Sequence, residues 1–224
     1  MNIVYTDNNA TTRVAPEVVE EMMPYFSDLY GNPSSMHSFG GNVGKKIQEA
    51  REHLANLINA ASSEIVFTSC GTESDNAAIM AALELNPEKR HIITSAVEHP
   101  AVRNLCSYLQ GKGYIITFVP VDRDGQLDED LLYETVERDS DNIAIISLMM
   151  ANNETGVIFP VAEVAKKAAE KGILFHTDAV QAAGKIPIDV KAAGIDMLSL
   201  SGHKIHAPKG IGVLYKRSLK VREV

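Results

Sequence analysis

The 224-residue sequence contains no tryptophan and only two cysteines, Cys70 and Cys106. Two cysteines so far apart provide neither a disulfide framework nor the paired spacing of a zinc site, and this usage fits a reducing cytoplasm. Positive charge is also scarce, because 21 lysines and arginines stand against 29 aspartates and glutamates, a formal net charge of −8. An acidic balance argues against nucleic acid or an acidic membrane as the main partner.

Long apolar runs are absent from the sequence as well. The longest, residues 143–151, is far too short to cross a bilayer. Residues 1–7 lack the basic and apolar regions of a signal peptide. The hydrophobic content of 45% and the charged content of 22% are those of an ordinary globular protein. We therefore expect a soluble, cytoplasmic chain with one full hydrophobic core.

Short apolar runs alternate with amphipathic segments along most of the chain. The runs typical of strands are residues 65–68, 91–94, 114–119, 143–148, 173–177, 197–200 and 211–215. The helical segments between most of them are residues 72–84, 100–109, 128–137, 160–171 and 189–193. Proline near a start and glycine past an end mark several of these boundaries. The alternation predicts a three-layer α/β fold around a mixed, mostly parallel seven-stranded sheet.

The last two predicted strands are joined by a short loop. About ten residues separate them, too few for the helical crossover that parallel strands need. We therefore expect residues 211–215 to run antiparallel to residues 197–200. The loop carries Ser201, Gly202, His203 and Lys204.

The N-terminal part contains two further helical patterns. Pro16 is predicted to open a helix whose apolar stripe extends to Phe26. A glycine-rich patch at residues 40–44 does not fit the Walker pattern, because no strand precedes it and neither serine nor threonine follows Lys45. We interpret this patch as a flexible entry to an amphipathic helix containing residues 47–58.

Unusual polar residues follow five of the predicted strands. These groups are residues 70–73, 98–100, 151–154, 178–181 and 201–204. The carboxyl ends of parallel strands line the ligand crevice of an open sheet. Five such groups on one edge therefore predict a functional site.

Part of this predicted site suits a phosphate group. Gly71 and Thr72 open a helix directly after a strand, so free amides and the helix dipole favour an anion there. The Thr72 hydroxyl and the loop of Ser201, Gly202 and His203 can complete this phosphate-binding site.

The remaining polar residues suit an aromatic ring with a basic nitrogen. A carboxylate at Asp178 would be stabilised by a protonated ring nitrogen. His99 can stack on a flat ring or move protons, and Lys204 can form an imine. Together with the predicted phosphate-binding site, these groups are typical of an enzyme that binds pyridoxal phosphate.

Simpler interpretations stay open for several of these residues. Thr72 can be a plain helix cap, and so can His99 before its proline. Asn152 and Asn153 can form a turn. Lys204 can be an ordinary solvated lysine in a surface loop.

The other histidines and the cysteines receive mainly structural interpretations. His176 shares a strand face with Asp178, and packed histidines outnumber catalytic ones. We interpret Cys70 as packing, although its place at a helix start can lower a thiol pKa, and Cys106 as core. His37 is considered for the substrate entrance.

Seven motifs are distributed in order over the whole chain. They are DNNATT at residues 7–12, GNPSS at 31–35, FTSCGTE at 67–73, EHP at 98–100, NNETG at 152–156, HTDAVQ at 176–181 and SGHK at 201–204. Together they resemble those of the cysteine desulfurases, which are class V, fold-type I pyridoxal-phosphate enzymes. The resemblance is greatest to the type associated with nitrogenase cofactor assembly.

The resemblance implies a role for each residue around the cofactor ring. Lys204 would hold pyridoxal 5'-phosphate covalently, and Asp178 would pair with the ring nitrogen. His99 would stack on the ring and assist proton transfer, so Lys204 and His99 are the implied catalytic residues. Gln181 would bond the ring hydroxyl, and Asn153 would face that hydroxyl and the substrate carboxylate.

The same resemblance implies the phosphate ligands. They are the Gly71 amide, Thr72, Ser201 and His203, with Gly202 in the same loop. No residue is assigned to a metal.

The implied reaction removes sulfur from L-cysteine and gives L-alanine and an enzyme persulfide for iron–sulfur cluster assembly. The implied partners are a second subunit in a homodimer and a sulfur-acceptor protein such as an iron–sulfur scaffold. The alternatives are a related class V aminotransferase, a selenocysteine lyase, or a non-catalytic fragment that only binds the cofactor.

The resemblance also implies a domain division. Residues 1–15 would belong to a small domain, and residues 16–224 would form the large, cofactor-binding domain. In the family, the nucleophilic cysteine, the arginine that binds the substrate carboxylate and a phosphate-binding threonine of the partner subunit lie beyond the position that matches Val224. We therefore expect these 224 residues to be inactive alone.

Overall fold

The computed structural model describes residues 4–218, which form one seven-stranded sheet with helices on both faces. The strands are β1 Ile65–Thr68, β2 His91–Ser95, β3 Ile115–Val119, β4 Ile143–Met149, β5 Leu174–Asp178, β6 Met197–Ser201 and β7 Gly212–Lys216. The helices are α1 Pro16–Met22, α2 Pro24–Ser27, α3 Ser38–Leu57, α4 Gly71–Leu85, α5 Pro100–Gln110, α6 Glu129–Asp139, α7 Val161–Glu170 and α8 Val190–Ala193.

The strand order across the sheet is β1-β7-β6-β5-β4-β2-β3. The pairs from β3 through β6 are parallel, whereas β7 is antiparallel to both of its neighbours, β6 and β1. Ser201 at the end of β6 pairs with Gly212 at the start of β7. The predicted three-layer α/β fold and the antiparallel last strand are therefore confirmed.

The sheet separates two apolar layers, because successive strand residues face opposite sides. Ile92 packs with residues of α4 and α5, including Val102, whereas Ile93 belongs to the layer that contains α6 and α7, including Val164. All seven residues of β4 are buried, as expected for a central strand covered on both faces. Among residues 4–218, no helix is both long and apolar enough to cross a membrane.

The N-terminal apolar stripe does not enter either layer. Helix α1 begins at Pro16 as predicted, and Pro24 opens a separate short helix. Val19, Met23 and Phe26 are 45%, 57% and 73% exposed. Amphipathic spacing identified the helical stretch, but these three side chains of the stripe are exposed within the described chain.

The interpretation of the glycine patch as a helix entry is corrected by the structure. Helix α3 starts at Ser38, and His37 caps it by accepting a hydrogen bond from the Gly40 amide at 3.1 Å. The glycines therefore lie inside the helix. A Cβ on Gly40 would clash with the Asn32 carbonyl and would lie 2.8 Å from the Ser35 Cβ, so this glycine permits close packing of the preceding loop.

Candidate active site

A cavity of about 410 Å³ lies at the carboxyl ends of the central strands. All of the predicted site residues except Gly202 line it, although they come from distant parts of the chain. Gly202 has a packing role instead, since a Cβ there would lie 2.6 Å from the Ile211 side chain. The cavity is of the size that binds small ligands and cofactors.

The sheet brings the polar groups together in register. Asp178 ends β5, where it pairs with Met149 at the end of β4 and with Ser199 of β6. Ser201 ends β6, and Lys204 closes the short 3₁₀ turn Gly202–Lys204 that follows it. Parallel strands that end at one edge thus produce the convergence that the sequence predicted.

The N-terminus of α4 forms one wall of the cavity. Gly71 is its first residue, and a Cβ there would lie 3.0 Å from Val180 and 3.3 Å from Ser201. The amides of the first turn have no acceptor within the helix. Cys70 is the N-cap residue and makes no side-chain cap bond, so the cap interpretation of Thr72 is wrong. Thr72 instead lines the cavity, near Ser201 and His203.

Lys204 is half-buried and faces the N-terminal segment of the chain. Its Nζ donates to the main-chain carbonyls of Asn9 and Ala10. Desolvation lowers the pKa of this amine, the positive charge of Lys185 lowers it further, and Asp178 partly opposes both. The lysine is therefore not an ordinary solvated side chain.

Asp178 is buried and its carboxylate accepts a hydrogen bond from the Val180 amide at 2.9 Å. Burial raises its pKa above the usual value, although this hydrogen bond and the nearby His99 and Lys204 partly oppose the rise. His99 both caps α5, where its Nδ1 accepts from the Ala101 amide at 3.1 Å, and lines the cavity. The cap interpretation and the site interpretation of this histidine are therefore compatible.

The two neighbouring asparagines have different positions. The Asn152 Oδ1 accepts from the amides of Glu154 and Thr155 at 2.9 and 3.0 Å, so the turn interpretation holds for Asn152. Asn153 lines the cavity instead. Gln181 also lines it and donates from Nε2 to the Asn9 carbonyl at 2.9 Å.

His176 has the structural position expected of it. It is fully buried, and its two ring nitrogens lie 2.9 Å from the hydroxyls of Ser147 and Ser199. Burial lowers its pKa to about 3, so the ring is neutral. His37, considered for the substrate entrance, caps α3 and is not among the residues that line the cavity.

The two cysteines differ in exposure. Cys106 is fully buried in α5, as predicted, and burial raises its pKa to about 12. Cys70 is half-buried and lines the cavity, so its interpretation as packing alone is incomplete. No cluster of three or more potential metal ligands occurs among residues 4–218.

Sequence reasoning missed Asp75, which lines the cavity from the second turn of α4. It lies four residues after Gly71, and this spacing places both residues on one side of a helix. That signal was available in the sequence. Asp75 is 1% exposed, and burial and the charge of Asp178 raise its pKa well above the usual value.

Glu98 is a buried carboxyl next to His99. Its Oε1 accepts from the Ser95 hydroxyl at 2.6 Å and from the Met149 amide at 2.9 Å. Burial raises its pKa from 4.5 to about 8.

This shift predicts a pH dependence of stability. Between the two pKa values the folded chain keeps a proton that the unfolded chain has released, so stability is lost as pH rises through this window. We expect the unfolding free energy of the wild type to fall by roughly 1 kcal/mol between about pH 6 and pH 7 relative to Glu98→Gln. Urea denaturation of both proteins at each pH measures the difference. Parallel pH profiles would contradict the assigned protonation of Glu98.

Comparison with known proteins identifies relatives over nearly the whole chain. The aminotransferase class-V family matches residues 4–223. A cysteine desulfurase of Trichormus azollae is 59% identical over 217 residues, which are 97% of this chain and 54% of that protein. Cysteine desulfurase NifS of Azotobacter vinelandii is 55% identical over 215 residues, 96% of this chain and 53% of that protein. The chain spans about half the length of the curated relatives it matches.

Solved structures agree with these relatives. A NifS-like protein superimposes with a TM-score of 0.91 and 43% identity, covering 96% of this chain and 59% of that one. SspA in complex with cysteine gives a TM-score of 0.91 and 40% identity, covering 96% of this chain and 62% of that one. The resemblance to cysteine desulfurases and the fold type are thereby confirmed. Because the family match extends over nearly its full length, the chain belongs to the aminotransferase class-V family, whose enzymes depend on pyridoxal 5'-phosphate.

Proposed function

We propose that this chain is the cofactor-binding part of a cysteine desulfurase, which takes sulfur from L-cysteine and leaves L-alanine. The observation that carries the proposal is the convergence of a half-buried lysine, a buried aspartate and the N-terminus of α4 on one cavity. The names of the relatives support the reaction, and the SspA complex with cysteine supports the substrate.

The donor set fits a phosphorylated pyridine. The first-turn amides of Gly71 and Thr72 would bind the phosphate, together with the Thr72 hydroxyl, Ser201 and His203. Gly71 lines the cavity, and the absence of a Cβ lets the start of α4 pack closely against Val180 and Ser201.

Asp178 would hold a proton on the ring nitrogen of the cofactor. Its carboxylate is buried and faces two basic groups, His99 and Lys204, so a cationic ligand stabilises its charge. When bound, the cofactor would supply an electron sink for cleavage of the carbon–sulfur bond of the substrate. His99 would cover the ring and move protons.

Lys204 would attach to the cofactor through its Nζ. Its lowered pKa increases the fraction of free amine, which is the nucleophilic form. Gln181 would orient the ring hydroxyl, and Asn153 would bind that hydroxyl and the substrate carboxylate.

The larger assembly is part of the proposal. Residues 1–15 would belong to a small domain. Within this segment, the main-chain carbonyls of Asn9 and Ala10 accept hydrogen bonds from Gln181 and Lys204. The whole protein would act as a cytoplasmic homodimer that passes sulfur to an acceptor such as an iron–sulfur scaffold, as the resemblance to the family implies. The name NifS of one relative supports a link to nitrogen fixation.

The test is titration of the chain with pyridoxal phosphate, followed by borohydride reduction and peptide mapping. We expect a visible absorption band and a reduced adduct on Lys204. Absence of any adduct, or an adduct on another lysine, would contradict the proposal. An aminotransferase or a selenocysteine lyase would bind the cofactor equally, so the whole protein must also release sulfur from L-cysteine.

We expect the 224-residue chain to form no persulfide from L-cysteine, even with the cofactor bound. Attack on the substrate sulfur needs a thiolate within reach of it. Cys106 is fully buried with a pKa of about 12, and Cys70 adjoins the proposed phosphate ligands Gly71 and Thr72. The double variant Cys70→Ser, Cys106→Ser should therefore leave sulfur release by the whole protein largely intact. A persulfide detected on Cys70 by mass spectrometry would show that this thiol is the nucleophile.

A further inference from the structure

Two aspartates line the cavity, but their surroundings differ. Asp178 accepts a hydrogen bond from the Val180 amide and faces the basic groups of His99 and Lys204. Asp75 is 1% exposed, and among residues 4–218 its Oδ1 has no hydrogen-bond partner. A buried carboxylate with an unpaired oxygen is strongly destabilising. A side-chain hydrogen bond from Ser199 favours a negative charge on Asp75, but only Asp178 also faces the basic groups of His99 and Lys204.

The basic group near Asp75 is His176, whose Nε2 lies 3.7 Å from the Asp75 Oδ1. The two ring nitrogens of His176 are 2.9 Å from Ser147 and Ser199, and both serines are buried with it. Hydroxyls can act as donor to one nitrogen and acceptor from the other, which satisfies a neutral ring. Burial lowers the pKa of His176 to about 3, so the ring is neutral and provides no counter-charge for Asp75.

A third buried carboxyl, Glu98, resembles Asp75 in having one oxygen that accepts no hydrogen bond from the described residues. It is 3% exposed, and its Oε2 has no hydrogen-bond partner in the part of the chain that the structure describes. The three carboxyls are near enough to influence one another, since Asp178 raises the pKa of both Asp75 and Glu98. Ionising all three would place like charges together in a medium that screens them poorly.

We propose that these three carboxyls carry one negative charge, on Asp178, and that Asp75 is a positioning residue that remains a neutral acid beside it. The inference rests on the proposed function, in which Asp178 pairs with the ring nitrogen. A second carboxylate at Asp75 would repel Asp178 and favour its protonation. The neutral acids therefore keep the single charge where the ring nitrogen would bind.

Infrared spectroscopy of the chain at neutral pH, without cofactor, tests the location of the protons. We expect carboxylic-acid carbonyl signals from two groups. Asp75→Asn, which keeps the shape, should remove one signal, and Glu98→Gln should remove the other. An acid signal unchanged in Asp75→Asn would overturn the proposal, because Asp75 would then be ionised.

Nitrogen NMR of the wild type provides a measurement that needs no variant. A neutral His176 ring is expected, whereas a doubly protonated ring would show an ion pair with Asp75 and would overturn the proposal. This result does not depend on whether an Asp75 variant folds.

Titration of the variants with pyridoxal phosphate then tests whether the charge on Asp178 contributes to cofactor binding. The conservative Asp75→Asn variant should weaken binding of pyridoxal phosphate less than Asp178→Asn does. Asp178→Asn should weaken binding by about tenfold or more, because it removes a charge-assisted hydrogen bond. Equal weakening by both substitutions would contradict a single charge on Asp178. If the wild type binds no pyridoxal phosphate, the proposed function fails, while the infrared and NMR results still decide which carboxyls hold protons.

Discussion

Lys204→Ala is expected to abolish covalent attachment of pyridoxal phosphate. The Nζ of Lys204 lies in the cavity with Asp178, His99 and the first turn of α4, and its pKa is lowered by burial. Phosphate contacts would remain in the variant, so weak binding can persist without a covalent bond. The visible absorption band and the borohydride-reducible adduct should both disappear, which spectroscopy and mass spectrometry measure.

Lys185→Ala is the matched control for this experiment. Lys185 is exposed, and its Nζ contacts Gln181 at 3.0 Å, so it is a second amine near the cavity. Its removal should leave the adduct on Lys204 intact. An adduct that survives in Lys204→Ala but is lost in Lys185→Ala would show that the attachment site has been assigned to the wrong lysine.

The sheet was predictable because its signals are local. Strand-length apolar runs separated by capped helices gave the seven strands, and the short loop after Ser201 required an antiparallel β7. Convergence of Asp178, His99 and Lys204 followed from the parallel topology alone, since equivalent strand ends meet at one edge. The chemistry assigned to these residues remains a proposal that depends on the family.

The features that sequence reasoning missed depend on contacts between distant residues. The main chain at Asn9 lies against Lys204 across 195 positions, and no local pattern encodes this contact. The close approach of Gly40 to the preceding loop is likewise invisible in composition. Exposure of Phe26 could not be predicted, because an apolar stripe indicates a helix and not the partner that covers it.

Gly212→Ala is expected to destabilise the fold by about 3 kcal/mol, which corresponds to a fall in Tm of roughly 6–12 °C for a chain of this size. Gly212 starts β7 between β1 and β6, pairing with Thr68 and Ser201. A Cβ there would lie 2.5 Å from the Cys70 carbonyl oxygen and 2.6 Å from the Thr68 hydroxyl. That hydroxyl is held at 2.7 Å from the Ser74 hydroxyl, so relief of the clash must move the start of α4.

Gly41→Ala is the matched control and should have the opposite sign. Gly41 lies inside α3, and a Cβ there would meet no atom within 4 Å. The change should therefore stabilise the protein by about 0.5–1 kcal/mol through helix propensity. Thermal and urea unfolding of both variants measure the two effects. Because Gly212→Ala displaces Cys70 and the neighbouring Gly71 amide, it should also weaken binding of inorganic phosphate. A Gly212→Ala variant as stable as the wild type would show that β7 does not pack against the start of α4 as described.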